Sequence, residues 1–156
     1  MNKKIILGSD HAGFELKEEV KNFLIKLGFK VEDKGAHNLN SQDDYPKFIL
    51  SAAKCVAEDL KNNLGIIFGG SGQGEAIVAN KVPGVRAAVY YGSKMDIVKL
   101  SRTHNDANIL SLGARFLNKK EALEAVKLWL NTDFSKEERH QRRIEQIHEI
   151  EEKTCK

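Results

Sequence analysis

The strongest constraint on the fold is an alternation along the chain. Short apolar runs rich in Val and Ile, bounded by Gly, Asn or Asp, are separated by longer segments with helical periodicity. A short continuous apolar run suits a strand buried on both faces, and interleaved helices are the crossovers that a parallel sheet requires. The pattern predicts strands over 4–7, 30–32, 65–68, 85–89 and 109–112, and helices over 15–27, 46–62, 75–80, 93–101 and 119–131. Repeated βα units of this kind imply an α/β layered domain with a five-stranded parallel sheet.

A length of 156 residues with 41% hydrophobic content is enough for one sizeable core, and no linker-like or repeated segment marks a domain boundary. One domain over 1–156 is therefore expected. The net charge of +3 is too mild to call for a nucleic acid or a membrane surface as partner. Apolar stretches reach only about five residues, and the N-terminal Lys3-Lys4 leads straight into a strand, so neither a secretion signal nor a membrane span is expected. Cys55 and Cys155 lie too far apart to suggest a disulfide framework or a cysteine-based zinc site. A cytoplasmic enzyme or binding domain fits these limits.

In the first helix Phe14, Val20, Phe23, Leu24 and Leu27 form a stripe for packing on a sheet, and Gly28 ends it. Pro46 suits the first turn of the second helix, with Asp44 as its cap. The tail over 135–156 is heavily charged but carries Ile144, Ile147 and Ile150 at intervals of three, a narrow seam suited to a partner subunit.

In parallel α/β sheets ligands bind beyond the carboxyl ends of the strands. Three polar segments near predicted strand ends, Gly8-Ser9-Asp10-His11-Ala12-Gly13, Gly69-Gly70-Ser71-Gly72-Gln73-Gly74-Glu75 and Thr103-His104-Asn105-Asp106, are expected to share one region. Four glycines between Gly69 and Gly74, placed between a strand and a helix, let backbone N–H groups approach an anion. A plain tight turn is the alternative. The loop is neither a P-loop nor a dinucleotide fingerprint, because Glu75 stands where the former needs Lys and the latter needs Gly.

Glu75 either complements the dipole of its helix or points into the cleft as a base beside an oxyanion cradle. Asp10 and His11 are acid/base candidates, with helix capping the other role open to Asp10. His104 and Asn105 add an imidazole and an amide. The spacing of His11, His37 and His104 defines no metal site, so no metal or other cofactor is expected. Arg139 and Arg143, four residues apart, fall on one face of the tail with His140 beside them, as a phosphate clamp or as an ordinary solvated face.

These segments, with Asp44-Tyr45-Pro46, Ala79-Asn80-Lys81, Arg86-Ala87, Ser101-Arg102, Gly113-Ala114-Arg115 and Arg139-His140-Gln141-Arg142-Arg143, resemble the type B ribose-5-phosphate isomerases. That family includes the galactose-6-phosphate isomerase subunits, and the matching blocks cover nearly the whole chain in order. The resemblance implies a Rossmann-like three-layer αβα fold and a homodimer or dimer of dimers with sites shared between subunits. The activity implied is metal-free interconversion of ribose 5-phosphate and ribulose 5-phosphate through a cis-enediolate, in the pentose phosphate pathway. It also implies that the tail packs on the partner and delivers Arg139 and Arg143 to its site.

Members of the family use as base either a Cys at the start of the glycine loop or a Glu at its end. Gly69 and Glu75 place this chain with the second kind. The resemblance further implies His104 as the group that opens the sugar ring, with Asp10 the alternative, and Ser71 as an aid to proton movement. Backbone N–H groups over Gly70, Gly72, Gln73 and Gly74 would hold the enediolate, and His11, Arg139 and Arg143 the phosphate. Tyr45, Asn105 and Arg115 would line the sugar. A six-carbon sugar phosphate is the nearest rival substrate. A non-catalytic phosphate- or nucleotide-binding module is the more distant one.

Overall fold

The computed structural model describes residues 3–154. Five strands, β1 (Lys4–Ser9), β2 (Lys30–Asp33), β3 (Asn63–Gly69), β4 (Ala87–Tyr90) and β5 (Ile109–Gly113), form one sheet in the order β2-β1-β3-β5-β4. Every pairing is parallel. The helices are α1 (Phe14–Lys26), α2 (Tyr45–Ala57), α3 (Gln73–Ala79), α4 (Asp96–Thr103), α5 (Lys119–Leu130) and α6 (Glu138–Thr154), with a 3₁₀ turn at His11–Gly13.

The apolar runs behave as doubly buried strands should. In β1, Ile5 and Leu7 enter one core and Ile6 the other, and in β3 Ile66 and Phe68 oppose Ile67. One core receives Val20 and Leu24 of α1, Val98 of α4 and Trp129 of α5. The other receives Ile49, Ala53 and Val56 of α2 and Ala79 of α3. The architecture is therefore the expected three-layer α/β sandwich of helices, sheet and helices.

Several boundaries differ from expectation for local reasons. The second helix ends at Ala57, five residues early, because Glu58 to Asn62 form turns in which the Asp59 carbonyl accepts from the N–H groups of Asn62 and Asn63, and β3 begins at Asn63. Asp44 occupies the N-cap of α2 without a side-chain capping bond. Positive φ at Gly92 and Ser93 delays α4 to Asp96. Val85 and Arg86 precede β4 rather than belong to it. Leu27 caps α1 and is exposed, while Lys17 lies fully buried on the packed face of that helix. The tail helix starts at Glu138, and its expected last residues, 155–156, lie outside the described residues.

Chain order sets the site. From β1 the chain adds β2 on one side and then returns to place β3 on the other, so the strand order reverses between β1 and β3. A crevice opens beyond the carboxyl ends at such a reversal.

Candidate functional site

Two loops leave the sheet at that crevice: Asp10–Gly13 after β1, and Gly70–Gly72 after β3. The second loop turns through Gly72, whose φ of 79° is a left-handed value that suits glycine, and delivers Glu75 to the first turn of α3. Ser111 of β5 donates its hydroxyl to the Gly72 carbonyl at 2.6 Å, while Ala114 N and Arg115 N donate to the carbonyls of Gly69 and Gly70 at 2.8 and 3.0 Å. The glycine loop is thus pinned from the neighbouring strand. Ser71 Oγ accepts from Gln73 N at 3.3 Å.

Glu75 is only 4% exposed. A Cβ placed on Gly69 would fall on the Glu75 carboxyl, so the carboxyl fills the side-chain space of residue 69. Burial pushes this acid above the usual carboxylate range and the negative charge of Asp10 adds to the shift, while the N–H groups of Glu75 and Gly72 oppose it. A buried carboxyl raised in this way is the kind of group that serves as a general base. Tyr45, the first residue of α2, closes over the loop: a Cβ on Gly74 would sit 2.7 Å from its hydroxyl. Arg115 lies against Gly70.

Asp10 takes the capping role: its Oδ1 accepts from Ala12 N at 3.0 Å and Gly13 N at 3.4 Å. His11 is held by Asp43, a residue that sequence reasoning passed over. Among the described residues Asp10, His11 and Asp43 are the one trio of clustered metal-type donors. Here His11 Nδ1 lies 2.6 Å from Asp43 Oδ1, a hydrogen bond that becomes an ion pair when the imidazole is protonated. The hydrogen bond to Asp43 raises the His11 imidazole above its ordinary value, with the charges of Asp10 and Asp43 adding, against burial and Arg115.

The third polar segment lies elsewhere. Thr103 to Asp106 precede β5, so in a parallel sheet they sit at its amino edge; the expectation that all three segments share one strand end is corrected. Gly65 N donates to the Asn108 carbonyl, and Arg102, Asp106 and Asn108 share a groove with Lys3 and Lys61. At roughly 3.3 Å per residue, the strand from Gly65 to Gly69 separates the two edges by about 13 Å.

His104, at the end of α4, stacks on His140 of α6 with ring centroids 4.2 Å apart and 17° between planes. His140 is 3% exposed, and burial holds it below the ordinary imidazole value, with His104 and Arg139 adding. Arg139 and Arg143 are exposed on the same helix, and Arg139 contacts Glu137 at 3.3 Å. The expected site residues therefore fall into two groups: Asp10, His11, Tyr45, Gly70, Ser71, Gly72, Gln73, Gly74, Glu75 and Arg115 at the carboxyl edge, and His104, Asn105, Arg139 and Arg143 at the amino edge. Sequence reasoning also missed Ser111, for which an isolated strand serine offers no signal.

A buried carboxyl beside a glycine cradle, at the reversal point of a parallel sheet, has the parts of a proton-transfer site in an α/β protein. The sequence pattern of the Ribose/Galactose Isomerase family matches residues 5–147, and the chain belongs to that family. Ribose-5-phosphate isomerase B of Mycolicibacterium paratuberculosis is 43% identical over 148 residues, which span 95% of this chain and 91% of the relative. That of Escherichia coli is 39% identical over 97% of this chain and 98% of its own length. Among solved structures, ribose-5-phosphate isomerase B of Clostridium thermocellum aligns with a TM-score of 0.89 at 46% identity, covering 96% of this chain and 98% of that one. The Mycoplasma genitalium enzyme, solved with bound ribulose-5-phosphate, aligns with a TM-score of 0.93 at 36% identity over 99% of both chains.

Proposed function

We propose that this chain is an aldose–ketose isomerase that interconverts ribose 5-phosphate and ribulose 5-phosphate, with Glu75 as the base. The observation that carries the reading is the Glu75 carboxyl lodged in the empty side-chain space of Gly69, buried beside the glycine loop. The ribulose-5-phosphate bound to the Mycoplasma genitalium relative supplies the substrate class.

His104 opens the furanose to free its carbonyl; Asp10, whose Oδ1 is committed to two backbone N–H groups, is the less suited candidate. Glu75 removes the proton from C2 of the aldose and returns it to C1, so that a cis-enediolate forms and collapses to the ketose. Backbone N–H groups over 70–74 stabilise the developing oxyanion, and the Ser71 hydroxyl moves a proton between the two oxygens. His11, Arg139 and Arg143 hold the phosphate, while Tyr45, Asn105 and Arg115 line the sugar. No step calls on a metal.

The working unit is a homodimer. Glu75 and His104 stand at opposite edges of one sheet, so a complete site draws His104, Asn105, Arg139 and Arg143 from a second copy. The exposed Ile147 and Ile150 of α6 suit that contact; with Val85, Ala87 and Ala88 they line a groove of about 600 Å³. Among the described residues no helix is long and apolar enough to cross a membrane. A cytoplasmic setting fits a sugar-phosphate substrate and the free, buried Cys55.

Proton NMR of ribose 5-phosphate in D₂O with the purified protein tests the reading. Ketose formation with deuterium entering the sugar is expected. An unchanged spectrum would reject the pentose assignment, and the same experiment with galactose 6-phosphate would then test the other activity in the family's description.

A further inference from the structure

Asp43 has no place in the chemistry above, yet it is among the most constrained carboxylates in the chain. Its side chain is 4% exposed. Its Oδ1 accepts twice from one residue, from His11 N at 3.0 Å and from His11 Nδ1 at 2.6 Å. Among the described residues nothing donates to its Oδ2, which is buried. A buried carboxylate with one empty oxygen is costly unless a cation sits beside it. The adjacent imidazole supplies that cation when both ring nitrogens are protonated.

The segment that leads from β2 toward this carboxylate is held at its start. The segment between β2 and α2 is laid along the end of β1, with Lys34 N donating to Leu7 O and Ala36 N to Ser9 O. The fully buried Lys17 ties the segment down by donating to Ala36 O at 2.8 Å and to Asp33 at 2.6 Å. Gly35 N donates to Asp33 as well. Residues 33–36 are thus tied to β1 and α1, and beyond the exposed stretch 37–42 Asp43 meets His11 through its own hydrogen bonds.

We propose that Asp43 is a positioning residue: it fixes the His11 ring through Nδ1, keeps that ring doubly protonated, and leaves Nε2–H to donate to an anionic ligand in the crevice. His11 is 28% exposed in its side chain, and among the described residues Nε2 has no hydrogen-bond partner. The charged groups that face the ring are Asp43 and Asp10, which favour the proton, and Arg115, which opposes it. Asp10 stands 3.8 Å from Nδ1 and has its other oxygen engaged, so Asp43 is the dominant partner. That the anion is the substrate phosphate rests on the function proposed above.

Asp43→Asn keeps the shape and an accepting oxygen but removes the charge. Histidine ring NMR across pH is expected to show wild-type His11 titrating above ordinary imidazole and His11 of the variant titrating lower, with the protein folded in both. An unchanged His11 midpoint would overturn the proposal; Asp43→Ser provides the same comparison should the asparagine variant not fold. Steady-state kinetics with ribose 5-phosphate separates the two claims. With the phosphate as ligand, KM of the variant at mildly alkaline pH rises roughly tenfold or more while kcat holds, as for one lost charge-assisted hydrogen bond. A lowered His11 midpoint with unchanged KM would keep the Asp43 coupling and reject the phosphate role of His11.

Discussion

Glu75 carries two consequences of being a buried carboxyl. Its ionised form is the base, so kcat is expected to fall as pH drops through its raised pKa, an acid limb above the ordinary carboxylate value of 4.5. The same shift means that ionised Glu75 weakens the fold above its unfolded pKa, and that acidification through the folded pKa relieves the cost. Glu75→Gln is therefore expected to lower kcat by about 10²–10⁴-fold with KM little changed, while raising Tm at neutral pH. Full turnover in this variant would remove Glu75 from the mechanism. Gly69→Ala places a methyl where the carboxyl sits and is expected to cut kcat by a similar factor through displacement of the base. The carboxylate and its glycine loop were legible because a strand-end loop with four glycines has few structural uses. Asp43 and Ser111 were not, because each acts through a partner distant in sequence, His11 at a separation of 32 and Gly72 at 39; His140 stood out on the tail, but its stacking on His104 did not.

At the scale of elements, the parallel sheet was readable from five apolar runs, and the differences trace to what periodicity leaves out. Polar helix formers continued the pattern of α2 beyond its last packed turn at Ala57. An apolar stripe also hid Lys17, whose burial rests on Asp33 and Ala36. Burial alone would raise the Asp33 carboxyl, yet Lys17, Lys21 and the Gly35 N–H hold it below its ordinary value. Stability from this network is present above the unfolded pKa of Asp33 and is lost as pH falls through its folded pKa. Lys17→Met is expected to destabilise by roughly 3 kcal/mol, since Asp33 stays buried with a partner removed, and to loosen the segment that carries Asp43. Urea unfolding monitored by circular dichroism measures the first effect.

At the scale of the molecule, the decisive fact is which edge of the sheet each polar segment occupies. Strand ends are visible in a sequence, but Thr103 to Asp106 come before β5 while Gly70 to Gly74 come after β3, and that difference puts them on opposite sides. The proposed dimer reunites them. Ile147→Glu, on the open apolar groove, is expected to yield monomers by sedimentation and to abolish turnover without unfolding the chain. Complementation between two inactive variants tests the shared site most directly. Glu75→Gln and His104→Asn homodimers are each expected to be nearly inactive. After subunit exchange between equal amounts, half of the dimers are mixed and each holds one intact site, so activity should recover to about a quarter of wild type. Mixtures as inactive as their components, despite exchange, would contradict a site built from Glu75 of one copy and His104 of the other.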